Sequence, residues 1–312
     1  MSQENRGSVH ENSREHAEVD PIPVRFESFE TEIRSGESKG KNNSHRGPMK
    51  KTKTHKLKAP GFGCWNLKVE EDAEGNIDMQ AVPIGDVNES LPPSHLIVTV
   101  NGIIGRADNW KFAAKQLLTK YPQHIVVHCS KTNYGRLTFD GVDVMGDRLA
   151  NEVLYQLLSY IFLGNNEDSI VKVLSATRRY DSLKKLSFVG HSLGGLVARY
   201  AIAKLYDDRT GKIAGLEAVN YISFATPHLG SRGHNQVPLL CGSHALESAA
   251  LRLSWLLGRT GKHLFLTDGK KDKPPLLVQM ANDAPNLMFL SALKCFKRRV
   301  LYSNVRFDRI LD

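Results

Sequence analysis

Apolar residues are spread unevenly along the 312-residue chain, and their spacing divides it into three parts. Residues 1–60 are polar and charged with few aromatic side chains, which predicts a disordered basic N-terminal tail. Residues 61–93 contain two short stretches of alternating apolar and polar positions on either side of an acidic turn, and they predict a β-hairpin. From residue 94 to 312, apolar runs of strand length alternate with stretches at helical spacing, which is typical of a parallel sheet covered on both faces. The pattern predicts an α/β fold for 94–312.

The predicted strands of this region lie at 95–101, 125–128, 186–190, 219–225 and 300–307, and helical spacing covers 144–161 and 196–205. A segment at about 230–298 is too long for a simple crossover between strands. It contains an apolar helix opened by Ser243, whose apolar residues share one face: Leu246, Ala249, Ala250, Leu253, Leu256 and Leu257. This lid-like insertion is interpreted either as a core-packing helix or as a lid or acyl-chain groove.

The strand at 186–190 runs directly into Gly190-His191-Ser192-Leu193-Gly194 and then into a helix. A Gly-x-Ser-x-Gly sequence occurs often by chance, but a strand before it and a helix after it are the context of a nucleophile elbow. The turn is so tight that the positions two residues before and after the nucleophile cannot carry large side chains, and here they are Gly190 and Gly194. The helix N-terminus also offers free N–H groups to a developing oxyanion. Ser192 is therefore the predicted nucleophile.

Acyl transfer needs two hydrogen-bond donors for the oxyanion. The N–H of Leu193, immediately after the nucleophile, is one predicted donor. The second is the N–H of Ile103, in the glycine-containing loop at 101–105 that follows an earlier strand. Glycine at a strand end is also ordinary turn chemistry, so the prediction depends on both glycine-bearing turns lying at one edge of the sheet.

Charge is distributed as unevenly as hydrophobicity. The formal net charge is +9, and residues 39–58 contain lysine and arginine without any acidic residue. Such a run is usually a solvated tail, and contact with anionic lipid or RNA is the alternative. No aromatic residue is interleaved in it, so bases would have nothing to stack on and we expect no nucleic-acid partner.

The four cysteines, at 64, 129, 241 and 295, lack the spacing of metal ligands, and Cys129 and Cys295 fit core positions. The N-terminus lacks the apolar segment of a secretory signal, and no stretch approaches the roughly 18 apolar residues of a membrane span. We therefore expect a cytoplasmic protein, with peripheral membrane contact through the basic tail or the insertion. The oligomeric state stays open.

Four segments resemble the family of lipase-like α/β-hydrolases described as "putative serine esterase", and most closely its plant members. The matching sequences are His95-Leu-Ile-Val-Thr-Val-Asn-Gly-Ile-Ile-Gly105 with Trp110, Thr138-Phe-Asp-Gly141 with Gly146-Asp-Arg-Leu149, Phe188-Val-Gly-His-Ser-Leu-Gly-Gly195, and Phe224-Ala-Thr-Pro-His-Leu-Gly230. The resemblance covers about 94–308 and implies an α/β-hydrolase that cleaves lipid or other acyl esters through a Ser-acid-His triad. It implies neither a metal nor an organic cofactor. Related lipases have His-Gly where this chain has Asn101-Gly102, but the donor there is a backbone group.

The acid of the triad follows a later strand in this fold, because the chain order is serine, acid, histidine. Asp308 ends the strand predicted at 300–307 and is the preferred acid, and Asp268 is its rival. An ordinary solvated turn aspartate is the alternative for either residue.

The base is not evident in the sequence. No histidine follows His263, and Asp308-Arg309 stands where family members resemble Asp-His. His228 follows a strand, but we interpret it as structural, and nothing places His234 or His244 near Ser192. We expect the last strand and helix of the fold to be absent and this 312-residue form to be slow or inactive.

These patterns predict a serine esterase or lipase with Ser192 as nucleophile. The alternative is a non-catalytic, truncated isoform that binds lipid or a regulatory partner. Thioesterase or acyltransferase chemistry at the same elbow would differ only in the leaving group or acceptor, and no residue distinguishes it.

Overall fold

The computed structural model describes residues 51–58, 64–71, 76–83, 93–162, 182–231, 257–284 and 286–304, all within the compact unit 47–312. These residues form an eight-stranded sheet. Its strands are β1 (Lys51–Lys58), β2 (Cys64–Glu71), β3 (Ile77–Pro83), β4 (His95–Val100), β5 (Ile125–Cys129), β6 (Lys185–His191), β7 (Glu217–Phe224) and β8 (Arg298–Tyr302).

The spatial order of the strands is β1-β2-β3-β5-β4-β6-β7-β8. The first three strands and the β3–β5 pair are antiparallel, whereas β5, β4, β6, β7 and β8 run parallel to their neighbours. The parallel strands therefore end at one edge of the sheet, where the loops after β4, β6 and β7 meet. The predicted α/β-hydrolase fold, a mostly parallel sheet with helices on both faces, is confirmed.

The described helices are α1 (Lys111–Lys120), α2 (Val142–Phe162), α3 (Leu193–Leu205), α4 (Gly258–Leu264), α5 (Leu276–Gln279) and α6 (Phe289–Lys294). Short 3₁₀ helices span Ala107–Trp110 and Gly135–Phe139. Two-residue strand pairs join Tyr206–Asp207 to Lys212–Ile213 and Asp283–Ala284 to Leu287–Met288.

Helices cover both faces of the sheet because the central strands are apolar on both sides. In β4, Leu96 and Val98 belong to the core shared with α2 and α3, whereas Ile97 belongs to the core shared with α1. Successive side chains of a strand point to opposite faces, so a continuous apolar run is what a doubly covered strand requires. Cys129 is fully buried in the second core, in agreement with its predicted core position.

The predicted disordered tail is wrong for its last segment. Residues 51–58 form β1, which pairs with β2 along its whole length, while residues 1–50 and 59–60 lie outside the described residues. β1 lies at the sheet edge with Lys53 and Lys56 exposed, so it needs no apolar face, and lysine is common on such edges. Its threonines favour the extended backbone. The hairpin predicted in 61–93 corresponds to β2 and β3.

The predicted last strand, at 300–307, corresponds to β8, which begins and ends earlier, at Arg298 and Tyr302. In the insertion, the predicted apolar helix falls on residues 243–256, which lie outside the described residues, and the described part contains α4, α5 and α6. Within the described ranges, no helix combines the length and the apolar character needed to cross a membrane.

Candidate active site

Ser192 lies between β6 and α3 with a strained backbone. Its φ is 51° and its ψ is −125°, a region that costs a residue other than glycine about 1–3 kcal/mol. The Ser192 N–H donates to Phe224 O on β7 at 2.8 Å, which fixes the turn to the neighbouring strand. Among the described residues, no hydrogen-bond partner is present for the Ser192 hydroxyl. The conformation is that of a nucleophile elbow.

The glycines around Ser192 are required by close packing. A Cβ on Gly190 would lie 2.6 Å from Cα of Gly195, and a Cβ on Gly194 would collide with the carbonyl oxygens of Val100 and Asn101. Any larger residue would separate the strand from the helix or push α3 away from β4. The elbow is therefore pressed against the end of β4.

The loop after β4 lies directly beside the nucleophile. The position of a Cβ on Gly102 is 3.0 Å from Ser192 Cβ. Gly105 N–H donates to Gly102 O at 3.1 Å, closing a turn in which Ile104 has a φ of 58°. A β-branched residue with such a φ is an outlier.

The two predicted oxyanion donors flank this region. Leu193 is the first residue of α3, and Ile103 is half-buried in the loop that approaches Ser192. Within the described part of the chain, neither N–H has a recorded acceptor. Both N–H groups are thus available at the edge where Ser192 lies.

His228 is committed to other partners. Arg199 Nη1 donates to His228 Nδ1 at 3.2 Å, so the ring proton lies on Nε2, which donates to Ser223 Oγ at 3.0 Å. Burial, and next the Arg199 charge, lower the pKa of His228 to about 4. Arg199 Nη2 also donates to Met280 O at 2.6 Å. His228 is therefore a neutral bracing residue, in agreement with its structural interpretation.

Of the two candidate acids, only Asp268 lies among the described residues. Asp308 lies outside the described residues. Asp268 Oδ2 accepts from the N–H of Leu276 at 2.8 Å and lies 3.8 Å from His263 Nε2. Asp268 and His263 line a cavity of about 540 Å³, and Ser192 is not among the residues that line it. Asp268 thus stabilises the start of α5.

His263, the last histidine of the sequence, is also engaged. Its Nδ1 accepts from the N–H of Val142 at 3.1 Å, at the start of α2, and burial lowers its pKa. Among the described residues, no histidine is hydrogen-bonded to the Ser192 hydroxyl. Within the same ranges, no group of three or more His, Cys, Asp or Glu side chains has an arrangement that could hold a metal ion.

The family profile described as "Putative serine esterase (DUF676)" matches residues 91–311. The chain belongs to this serine esterase family. It is 26% identical to "Putative lipase ROG1" of Saccharomyces cerevisiae over 255 residues, which cover 80% of this chain and 32% of that protein. It is 34% identical to "Putative lipase YDL109C" of the same yeast over 131 residues, or 42% of this chain and 18% of that protein. The chain therefore spans less than a third of the length of these relatives.

Among solved structures, the mature lipase BlEst2 of Bacillus licheniformis is similar to this serine esterase family member. The TM-score is 0.39 and the sequence identity 16%, with 73% of this chain and 71% of that chain covered.

One polar cluster of this serine esterase family member was not predicted. His128, on β5, is fully buried between Asp78 Oδ1, 2.6 Å from its Nδ1, and Glu152 Oε1, 2.9 Å from its Nε2. Burial disfavours the charged ring, but the two carboxylates raise the pKa of His128 to about 10. The sequence signal is one histidine inside an apolar strand, and it does not identify partners that are far away in the chain.

A second group of residues missed by sequence reasoning holds the loop after β4. Asn101 Nδ2 donates to Asn133 O at 2.8 Å and to Gly102 O at 3.2 Å, and the N–H of Ile104 donates to Thr138 Oγ1 at 3.1 Å. Thr138 belongs to a motif that the serine esterase resemblance contains, but its spacing alone does not indicate which loop it contacts.

Proposed function

We propose that the protein is a serine esterase or lipase that hydrolyses acyl esters of lipids, with Ser192 as the nucleophile. The observation that carries the proposal is the strained elbow at Ser192, whose hydroxyl at the N-terminus of α3 has no hydrogen-bond partner among the described residues. Family membership, and the lipase names of the yeast relatives, support ester hydrolysis. Strain that local packing maintains at one serine is typical of a functional site.

In the proposed reaction, the Ser192 oxygen attacks the ester carbonyl carbon and its proton passes to a base. The carbonyl electron pair moves onto oxygen, which the N–H groups of Leu193 and Ile103 stabilise. Removing one such donor costs an enzyme about 10²–10³ in kcat. The carbon–oxygen bond to the alcohol then breaks, and the alcohol leaves with the proton. Water attacks the acyl-enzyme, which releases the carboxylic acid and restores Ser192.

Asp308 is the proposed acid that orients the histidine base of the triad. We propose no histidine of this chain as that base, since the geometry commits His228 and His263 elsewhere. A serine without its base is a weak nucleophile, so we expect the rate of turnover to depend on the histidine that fills this role.

We further propose a cytoplasmic protein that contacts a membrane surface through its basic N-terminal residues or its insertion. The exposed lysines 53 and 56 of β1 extend the basic character of that segment into the described part of the chain. Attraction to anionic headgroups is the physical basis of such contact.

Fluorophosphonate labelling of the purified 312-residue chain tests the nucleophile. The probe forms an oxygen–phosphorus bond to Ser192 as its phosphorus–fluorine bond breaks, releasing fluoride while the hydroxyl proton passes to base. We expect mass spectrometry to find the label on Ser192 and to find none in Ser192→Ala. Ser187→Ala is the matched control, because Ser187 lies on β6, the strand that leads into the elbow, and its hydroxyl is hydrogen-bonded to the His95 ring and to the N–H of Asn220.

Added imidazole should accelerate the labelling at Ser192, because it supplies a proton acceptor. Ester hydrolysis can be followed in the same samples with p-nitrophenyl esters of increasing acyl length. A wild-type chain that stays unlabelled with and without imidazole would contradict the esterase proposal and favour the non-catalytic binding alternative. Equal labelling of Ser192→Ala would show that the nucleophile is a different residue.

A further inference from the structure

The turn after β4 adopts a conformation that its own residues do not favour. Ile104 has a φ of 58°, in the left-handed region that β-branched residues rarely adopt. Its side chain is 61% exposed, so packing of that side chain does not explain the conformation. Contacts to the backbone of the turn must hold it.

One of these contacts comes from a buried threonine. The N–H of Ile104 donates to Thr138 Oγ1 at 3.1 Å, and the same hydroxyl donates its proton to Gly135 O at 2.6 Å. Thr138 is 1% exposed, so water does not compete for its hydroxyl. Because its proton is used by Gly135, its lone pairs are left for Ile104.

Thr138 is itself held in place by α4. Thr260 Oγ1 donates to Thr138 O at 2.7 Å and accepts from the N–H of Gly141 at 3.0 Å. Thr260 is fully buried. The two threonines therefore connect the turn beside Ser192 to a helix outside the central sheet.

The peptide unit between Gly102 and Ile103 links this hydrogen-bond connection to the direction of the Ile103 N–H. In a trans peptide, the C=O and the N–H point in opposite directions. Gly102 O accepts from the N–H of Gly105 at 3.1 Å and from Asn101 Nδ2 at 3.2 Å, and these two donors fix its direction. The direction of the Ile103 N–H is thereby fixed as well. Gly105 reaches Gly102 only because Ile104 turns the chain back.

We propose that Thr138 is a positioning residue for the oxyanion hole: its hydroxyl holds Ile104 in the left-handed conformation and so aims the Ile103 N–H. The inference rests on the proposed function of Ser192 and Ile103. It assigns a task to the Thr138-Phe-Asp-Gly141 motif, which the triad does not use.

The kinetics of fluorophosphonate labelling at Ser192 test this proposal with the full 312-residue chain, under one buffer condition that includes imidazole. The phosphoryl oxygen of the probe occupies the oxyanion position, so misaimed donors slow the chemical step. We expect Thr138→Val to lower kinact by about 10- to 100-fold and to leave KI within about twofold, as for a misplaced catalytic group. Thr138→Ser keeps the hydroxyl and should restore kinact to within about threefold of the wild-type value.

Thr99→Val is the matched control, because Thr99 is also 1% exposed and its hydroxyl donates to His128 O on β5 and not to a group of the turn. It should lower the melting temperature without slowing the labelling. Labelling of Thr138→Val at the wild-type rate, or equal slowing of Thr138→Val and Thr99→Val, would overturn this inference alone. Absence of labelling in the wild-type chain would overturn the proposed function together with it.

Discussion

Two histidines of the sheet region are held in opposite charge states. His128, on β5, lies between the carboxylates of Asp78 and Glu152, and its pKa is raised to about 10. His228, after β7, faces the guanidinium of Arg199, and its pKa is lowered to about 4. Burial disfavours the charged ring at both sites. At His128 the two carboxylates outweigh burial, whereas at His228 burial is the main cause of the neutral ring and the Arg199 cation adds to it.

The charged ring, His128, belongs to a structural ion cluster, whereas the neutral ring, His228, lies in the loop after β7 and contacts α3, the helix that follows the nucleophile. His128 is the cationic centre of a network in which Ser130 Oγ also donates to Glu152 Oε2 at 2.6 Å. His228 braces α3 and the loop after β7 without a net charge of its own. A protonated His228 would face Arg199, so the ring is ill suited to take a proton from Ser192.

Replacing His128 by leucine should have the largest effect. The change leaves the buried carboxylate of Glu152 and the half-buried carboxylate of Asp78 without their cation, and breaking one side of a buried ion cluster costs about 3–5 kcal/mol. Urea denaturation should show this loss in the free energy of unfolding. His228→Leu should lose less, because it removes a neutral ring.

The order of the two variants in free energy of unfolding tests the comparison. A His228→Leu protein that is less stable than His128→Leu would show that the carboxylate cluster carries little charge. The additional change Glu152→Gln should restore part of the stability of His128→Leu, since it removes the negative charge of the buried Glu152 carboxylate.

The pH dependence of stability should have opposite signs for the two residues. The folded pKa of His128 is raised, so its contribution is complete below about 6.5 and is lost as the pH rises towards about 10. The folded pKa of His228 is lowered, so stability is lost as the pH falls from about 6.5 towards about 4. One proton gives a slope of at most about 1.4 kcal/mol per pH unit.

Urea midpoints measured from pH 4 to pH 10 provide these slopes, and His128→Leu should lack the alkaline one. NMR of the imidazole carbons should find His128 protonated at pH 8 and His228 neutral at pH 6. Titration of both rings near their ordinary pKa would contradict the assignment of opposite charge states.

The smallest effect is expected from Arg199→Met. Removing the guanidinium should raise the pKa of His228, but not above 6.5, because burial is the larger cause of its lowering. The lost hydrogen bonds should cost about 1 kcal/mol. NMR titration of His228 measures the pKa. Lys204→Met removes another cation from α3, where Lys204 pairs with Asp147 at the surface, and should leave the pKa of His228 unchanged.

The central strands could be predicted from the sequence because their signal is local. β4, β5 and β6 are largely apolar, and the elbow needs glycines within a few residues of Ser192. β1 could not be predicted in this way, because an exposed edge strand carries no apolar pattern and takes its structure from its pairing with β2.

The parts of the site that depend on distant residues were beyond sequence reasoning. Neither Asp78 nor Glu152 is near His128 in the chain, and Thr138 is 34 residues from Ile104. Local patterns report burial and backbone shape, whereas these hydrogen bonds are set by the tertiary fold. Asp308 and the donor roles of Leu193 and Ile103 stay predictions.

β7 and β8 pair although residues 225–297 lie between them in the chain. All other paired strands of the sheet lie within residues 51–224. In a chain synthesised from its N-terminus, β1 to β7 and the elbow are complete before β8 leaves the ribosome. The entropy cost of closing a long loop grows only logarithmically, by about 0.6 kcal/mol for each doubling of length. Insertions and deletions in this segment are thus thermodynamically inexpensive where they avoid the parts of α4 to α6 that pack in the core or hold Thr138.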